Sequence, residues 1–207
     1  MNPHLWWYVA RASGMVAWIL VTASVVWGLV LSTKLTRRPK PAWFLDLHRF
    51  LGGLSVAFVG VHLAGLVADN YTHFGLASLL VPLASAWHPV AVAWGVVGMY
   101  LLVAIEITSL LMRRLPRRLW RAVHFTSFGL FAFTTVHALT AGSDAGSVAV
   151  QWFALGSCAV VGFLTLVRIL STRRTERPLT ASRAASRAPT LPSPALQPRR
   201  PEPTRRG

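Results

Sequence analysis

Residues 44–68 read FLDLHRFLGGLSVAFVGVHLAGLVA. The only charges in this stretch are Asp46 and Arg49, both near its start, and two histidines, His48 and His62, stand fourteen residues apart. A helix that crosses about 30 Å of hydrocarbon needs roughly 20 mainly apolar residues, and these residues supply them. Helix is the form expected there, because a backbone in lipid must satisfy its own N–H and C=O groups. Working outward, four more stretches qualify, at about residues 12–32, 90–112, 119–139 and 148–170. Residues 74–87 are apolar as well, but short and interrupted by Pro82, and read as a re-entrant or surface-lying segment. The expected fold class is all-α: an integral membrane helical bundle of about five transmembrane helices (residues 1–170) followed by a disordered basic C-terminal tail (171–207).

Composition agrees. The chain is 54% hydrophobic but only 13% charged, a balance few soluble domains show. A formal charge of +15 often signals nucleic acid. Here the cations fall in short runs between apolar blocks and in the tail, so no nucleic-acid partner is expected. The single cysteine, Cys158, lies inside an apolar run, which excludes a disulfide framework and a cysteine-based metal site. Met1-Asn2-Pro3-His4 lacks the basic start of a secretory signal, so the first apolar run reads as a retained helix.

Lys and Arg set the expected orientation. Lys34, Arg37, Arg38 and Lys40 follow the first span. Arg113, Arg114, Arg117, Arg118 and Arg121 follow the third, and Arg173, Arg174 and Arg177 follow the fifth. The loops after the second and fourth spans carry Asp69 and Asp144 and no Lys or Arg. The positive-inside rule then puts the N-terminus outside and the C-terminus in the cytoplasm of a multi-pass cell-membrane protein. From about residue 171 the chain is rich in Pro, Arg, Ser and Ala, too poor in large apolar residues to offset its ordering entropy.

Four histidines occupy two co-oriented spans: His48 and His62 on the second, His124 and His137, thirteen residues apart, on the fourth. Trp43 precedes His48 by five residues and Trp120 precedes His124 by four; Asp69 and Asp144 each follow the outer histidine by seven. The levels therefore match as His48/His124 and His62/His137, separated by about 20 Å of helix rise. A facing pair of imidazoles suits the two axial positions of a haem iron, so two b-type haems stacked along the membrane normal are expected. Intramembrane ionisable residues are costly and usually functional. At about 100° per residue, fourteen residues return within about 40° of one face, while thirteen land about 140° away, so an ideal helix would not present His124 and His137 together. Local tightening, or a bend near Gly129 or Thr134–Thr135, would be needed.

The spacing of fourteen on one span and thirteen on the next co-oriented one resembles the ferric reductase and NADPH oxidase transmembrane domain. Arg11-Ala-Ser-Gly-Met-Val-Ala-Trp18, Leu47-His48-Arg49, Thr108-Ser109 and Leu119-Trp120-Arg121-Ala122-Val123-His124 resemble bacterial ferric reductase-like proteins, over roughly residues 5–170. The resemblance implies a bis-haem b electron carrier working from cytoplasm to outer face, and an oxidoreductase or the electron-relay subunit of one. Full-length relatives usually carry six spans and continue into a domain that binds FAD and a nicotinamide. This sequence has no glycine-rich phosphate loop and no βαβ pattern, so no FAD or NAD(P) site is expected in it. A separate cytoplasmic flavoprotein or ferredoxin-like donor is expected, as for relatives such as the haem-binding membrane subunit of the bacterial methionine sulfoxide reductase system. The alternatives are a haem-free membrane scaffold whose histidines pack helices and a single-haem, quinone-linked subunit.

Beyond the four histidines, Arg11 reads as a snorkelling anchor or a partner of the outer haem's propionates. Arg49 and Arg121 read as inner-propionate partners or simply as part of the basic belt. Gly52, one turn above His48, reads as room for the macrocycle, with Gly53 and Gly65 also near. Phe58, Phe131 and Phe133 read as core or lipid-facing residues between the levels. Glu106 is expected to pair with a basic loop residue or to handle a proton. His73 and His88 read as outer residues available to an acceptor, and His4 as solvated.

Overall fold

The computed structural model describes residues 4–33, 41–69 and 74–186, with side chains to residue 171. The chain divides into two compact units, Met1–Ser171 and Thr172–Gly207. The first holds α1 (Leu5–Ser32), α2 (Trp43–Ala68), α3 (Leu76–Leu80), α4 (Pro89–Leu110), α5 (Arg117–Phe125), α6 (Ser127–Ala141) and most of α7 (Val148–Ser186). There is no strand among the described residues. Five helices are long and apolar enough to cross a membrane, with α5 and α6 together making the fourth. The protein is a multi-pass membrane protein, and its lipid-facing side chains, such as Trp152, Leu155 and Phe163 of α7, are exposed as a bilayer solvent allows.

The second unit is helical to Ser186, past the point at which composition predicts disorder; the rest of the anticipated tail, 187–207, lies outside the described residues. Most of the first basic loop (Lys34, Arg37, Arg38, Lys40) and His73 also lie outside them.

Helix α1 packs against α2, and α4 against α6. Between them Val21, Leu102, Ile105 and Leu130 form one apolar cluster. Helix α7 joins through Val161, packed with Val25, Leu29 and Phe131, and through Val150 and Ala154, packed with Trp18. Two indole N–H groups bind helices laterally: Trp18 donates to Thr135 Oγ1 (3.0 Å) and Trp27 to the Phe44 carbonyl (2.8 Å). Close packing needs small residues. Gly65 supplies one, since a Cβ there would stand 2.8 Å from the Ala10 backbone nitrogen.

Two local features differ from expectation, while residues 74–87, as expected, do not span. Helix α1 begins at Leu5, seven residues' worth of aromatic and small side chains before the expected start near 12, because Arg11 finds a partner inside the structure (below) and need not end the apolar run. Residues 74–87 form α3 and a set of turns capping α4, not a span; Tyr100 Oη donates to the Leu80 carbonyl (2.6 Å). His88 enters α4 in the left-handed region (φ 41°), where the following Pro89 disfavours the right-handed helical one.

The second difference is the break at Thr126. Its N–H and its hydroxyl both donate to the Val123 carbonyl (3.0 and 2.6 Å), an i to i−3 pattern that replaces the regular ladder. Each residue wound at about 120° instead of about 100° recovers about 20° of the missing rotation between His124 and His137. The tightening lies between the two histidines and acts in the direction that brings them toward a common face. It sits at Thr126, not at Gly129 or Thr134–Thr135.

Candidate functional site

The structure brings the four histidines together in two pairs. His48 faces His124 with ring centroids 6.0 Å apart, and His62 faces His137 at 6.5 Å. We call the first the lower pair and the second the upper pair. In each, one ring comes from α2 and the other from the α5–α6 span, so the parallel course of these two elements sets the matching levels.

The upper pair is held by its neighbours' backbone. His62 Nδ1–H donates to the Ala10 carbonyl (2.7 Å), and His137 Nδ1–H to the Ala91 carbonyl (2.8 Å). A carbonyl only accepts, so Nδ1 carries the proton and Nε2 keeps its lone pair. Such an outer hydrogen bond is the usual way of orienting a metal-ligating imidazole. Each carbonyl is reachable because a glycine stands one turn further on. A Cβ on Gly14 would lie 2.8 Å from His62 Nδ1, and one on Gly95 would lie 2.7 Å from His137 Cε1. Gly28 plays the same part for His48, where a Cβ would meet Cε1 at 3.1 Å.

These glycines escape a reading centred on the histidines, although a signal exists. Gly14 and Gly28 are fourteen apart on α1, as His48 and His62 are on α2. The steps Ala10-x-x-x-Gly14, Ser24-x-x-x-Gly28 and Ala91-x-x-x-Gly95 share a small residue four before the glycine. That is the helical spacing at which the first residue's carbonyl lies against the second residue's face.

The lower pair is held through His48 alone. Its Nδ1 is 3.4 Å from Ser24 Oγ, the long limit of a hydrogen bond, and it also bonds the Ser24 backbone. His124 Nδ1 is buried without a partner among the described residues, as is Trp120 Nε1, whose ring stacks on His124 (centroids 5.2 Å). The indole N–H can only donate, so it is left for an acceptor group to satisfy.

The upper pair lines a cavity of about 410 Å³ between α1, α2, α4 and α6, with walls such as Val21, Val59, Leu102 and Leu130. Arg11, Asp69, His88 and Asp144 also line it. Arg11 makes a two-pronged ion pair with Asp144 and lies 4.9 Å from the Trp7 ring centre. It is therefore a clasp between α1 and the α6–α7 turn that lines the cavity, rather than a free snorkelling cation.

The remaining sequence candidates fall as follows. Arg49 is exposed and pairs with Asp46 (3.6 Å); Arg121 is exposed. Gly52 admits Glu106, since a Cβ there would lie 2.2 Å from Glu106 Oε1, so the carboxylate uses this gap. Gly53 has nothing within 4 Å. Phe131 is core, Phe133 stacks on Trp94, and His88 stacks edge-on against Trp87. Among the described residues no group of three His, Cys, Asp or Glu gathers as a bare metal ion would require.

Fold and site together define a helical membrane protein that carries two levels of paired imidazoles between neighbouring spans. The family model for the ferric reductase like transmembrane component matches residues 13–135, more than half the chain, and the protein belongs to that family. Members usually bind haem, and the family supports a role in membrane electron transfer. No curated protein and no solved structure matches the chain.

Proposed function

We propose that the protein is a bis-haem b electron carrier, with one haem held by His48 and His124 and the other by His62 and His137. The observation that carries this reading is the spacing of the rings. A metal–imidazole bond of about 2 Å on each side, plus about 1.1 Å from nitrogen to ring centre, puts two axial imidazoles about 6 Å apart. The pairs stand at 6.0 and 6.5 Å. Among the described residues the donors also come in twos rather than threes or fours, which suits an iron whose other four positions belong to a macrocycle. The upper cavity, at about 410 Å³ and mostly apolar, falls in the size range of cofactor pockets.

Haem supplies the one-electron chemistry when bound. The chain's own part is to present Nε2 at each level, to fix the ring planes through Ala10 and Ala91, and to exclude water with apolar walls. Trp120 Nε1 would serve an acidic substituent of the lower group, with Arg49 and Arg121 at the lower end and Arg11, clasped to Asp144, at the upper. The Lys and Arg distribution supports a cytoplasmic lower pair and an outer upper pair in the cell membrane. Electrons then enter from a separate cytoplasmic flavoprotein or ferredoxin-like donor and leave to an acceptor outside. The basic loops and tail suit an acidic donor surface.

The test is vectorial. In sealed vesicles with a reductant on the cytoplasmic side and a membrane-impermeant ferric chelate on the other, the haem-loaded protein should reduce the chelate and haem-free protein should not. Equal rates with and without haem would overturn the reading. Deleting 172–207 should slow haem reduction by host cytosol; an unchanged rate would remove the tail from donor docking.

A further inference from the structure

The two histidine pairs sit in unequal surroundings. In the upper pair both rings donate Nδ1–H to backbone carbonyls at 2.7 and 2.8 Å. In the lower pair His48 meets Ser24, through a hydroxyl at 3.4 Å and the Ser24 backbone, while His124 Nδ1 has no protein acceptor among the described residues. A short N–H···O=C bond pushes electron density onto the ring and makes Nε2 a stronger donor. A stronger axial donor stabilises the ferric over the ferrous state, and outer-shell hydrogen bonding is one of the levers on haem potential.

Resting on the bis-haem reading above, we infer that the Ala10/Gly14 and Ala91/Gly95 steps are positioning elements that give the upper haem the lower midpoint potential, so that the lower haem is reduced first. Each wave is a one-electron reduction of ferric to ferrous iron. An electron resting on the lower haem then crosses to the upper one against this difference. A membrane potential negative inside would assist an outward-moving electron.

The experiment is a mediated spectroelectrochemical titration of the purified, haem-loaded full chain. Two one-electron waves are expected. The His62→Ala variant should lack the lower-potential wave, and His48→Ala, which spares the upper pair, should lack the higher one. Gly14→Ala, which pushes the His62 ring off its carbonyl, should move the lower wave up toward the other. Two haems with a single merged wave, or with the lower-potential wave surviving in His62→Ala, would overturn the inference while leaving the bis-haem reading intact. If Gly14→Ala fails to bind haem, the wild-type order and the histidine variants still decide the matter. Fewer than two haems per chain would overturn both.

Discussion

Alanine at His62 or at His137 is expected to lower haem content from two to one per chain and to reduce transmembrane electron transfer to background. Each substitution removes one of two axial donors at the upper level, and the remaining ring cannot hold a six-coordinate iron alone. The lower pair lies roughly 20 Å of helix away, so it should keep its haem. The fold should survive as well. The carbonyls of Ala10 and Ala91 lie inside regular helix, so losing the histidine costs each only one of its hydrogen bonds, about 1 kcal/mol. Haem content by pyridine haemochrome and chelate reduction in sealed vesicles check the prediction together. Both variants retaining two haems and full transfer would sink the assignment of the upper pair.

A leucine at Gly95 is expected to have nearly as large an effect without touching a ligand. Even a methyl group there would stand 2.7 Å from His137 Cε1 and 2.8 Å from its Nδ1, closer than real Cβ atoms approach. The ring is the far end of a side chain and can move, but only by leaving the Ala91 carbonyl and its alignment with His62. Loss of the upper haem, with the lower haem and the detergent melting temperature largely kept, is the expected outcome. Gly60 is the matched control, because nothing lies within 4 Å of its added Cβ. Leucine there should leave both haems in place. Loss of haem from the Gly60 variant alone would contradict this account of how the ring is seated.

Much of this architecture was legible in the sequence, for identifiable reasons. Hydrophobic length marks a membrane span without any knowledge of neighbours, so the five spans could be read directly. The histidine levels followed from counting along two spans that run the same way, and the rings do face each other as His48/His124 and His62/His137. What stayed hidden depends on contacts between distant residues. Arg11 and Asp144 are 133 residues apart, and nothing local to Arg11 points to a carboxylate in the α6–α7 turn. Gly52 looked like space for a macrocycle because it sits one turn above His48; only the approach of α4 reveals Glu106 filling it. Threonine is common in membrane helices, so the break at Thr126 could not be told from the harmless Thr134 and Thr135 until its hydroxyl and N–H were seen to share one carbonyl. Gly14 and Gly28 did carry a periodic signal, but it becomes meaningful only when α1 is known to lie against α2.

The central claim is that each pair of histidines holds one haem. Pyridine haemochrome quantification of the purified, detergent-solubilised protein, with a dithionite-reduced minus oxidised spectrum, measures this directly. The account predicts two b-type haems per chain with the spectrum of six-coordinate, low-spin iron. A protein that takes up no haem when expressed with ample supply would contradict it, leaving five spans packed around four histidines and no redox function.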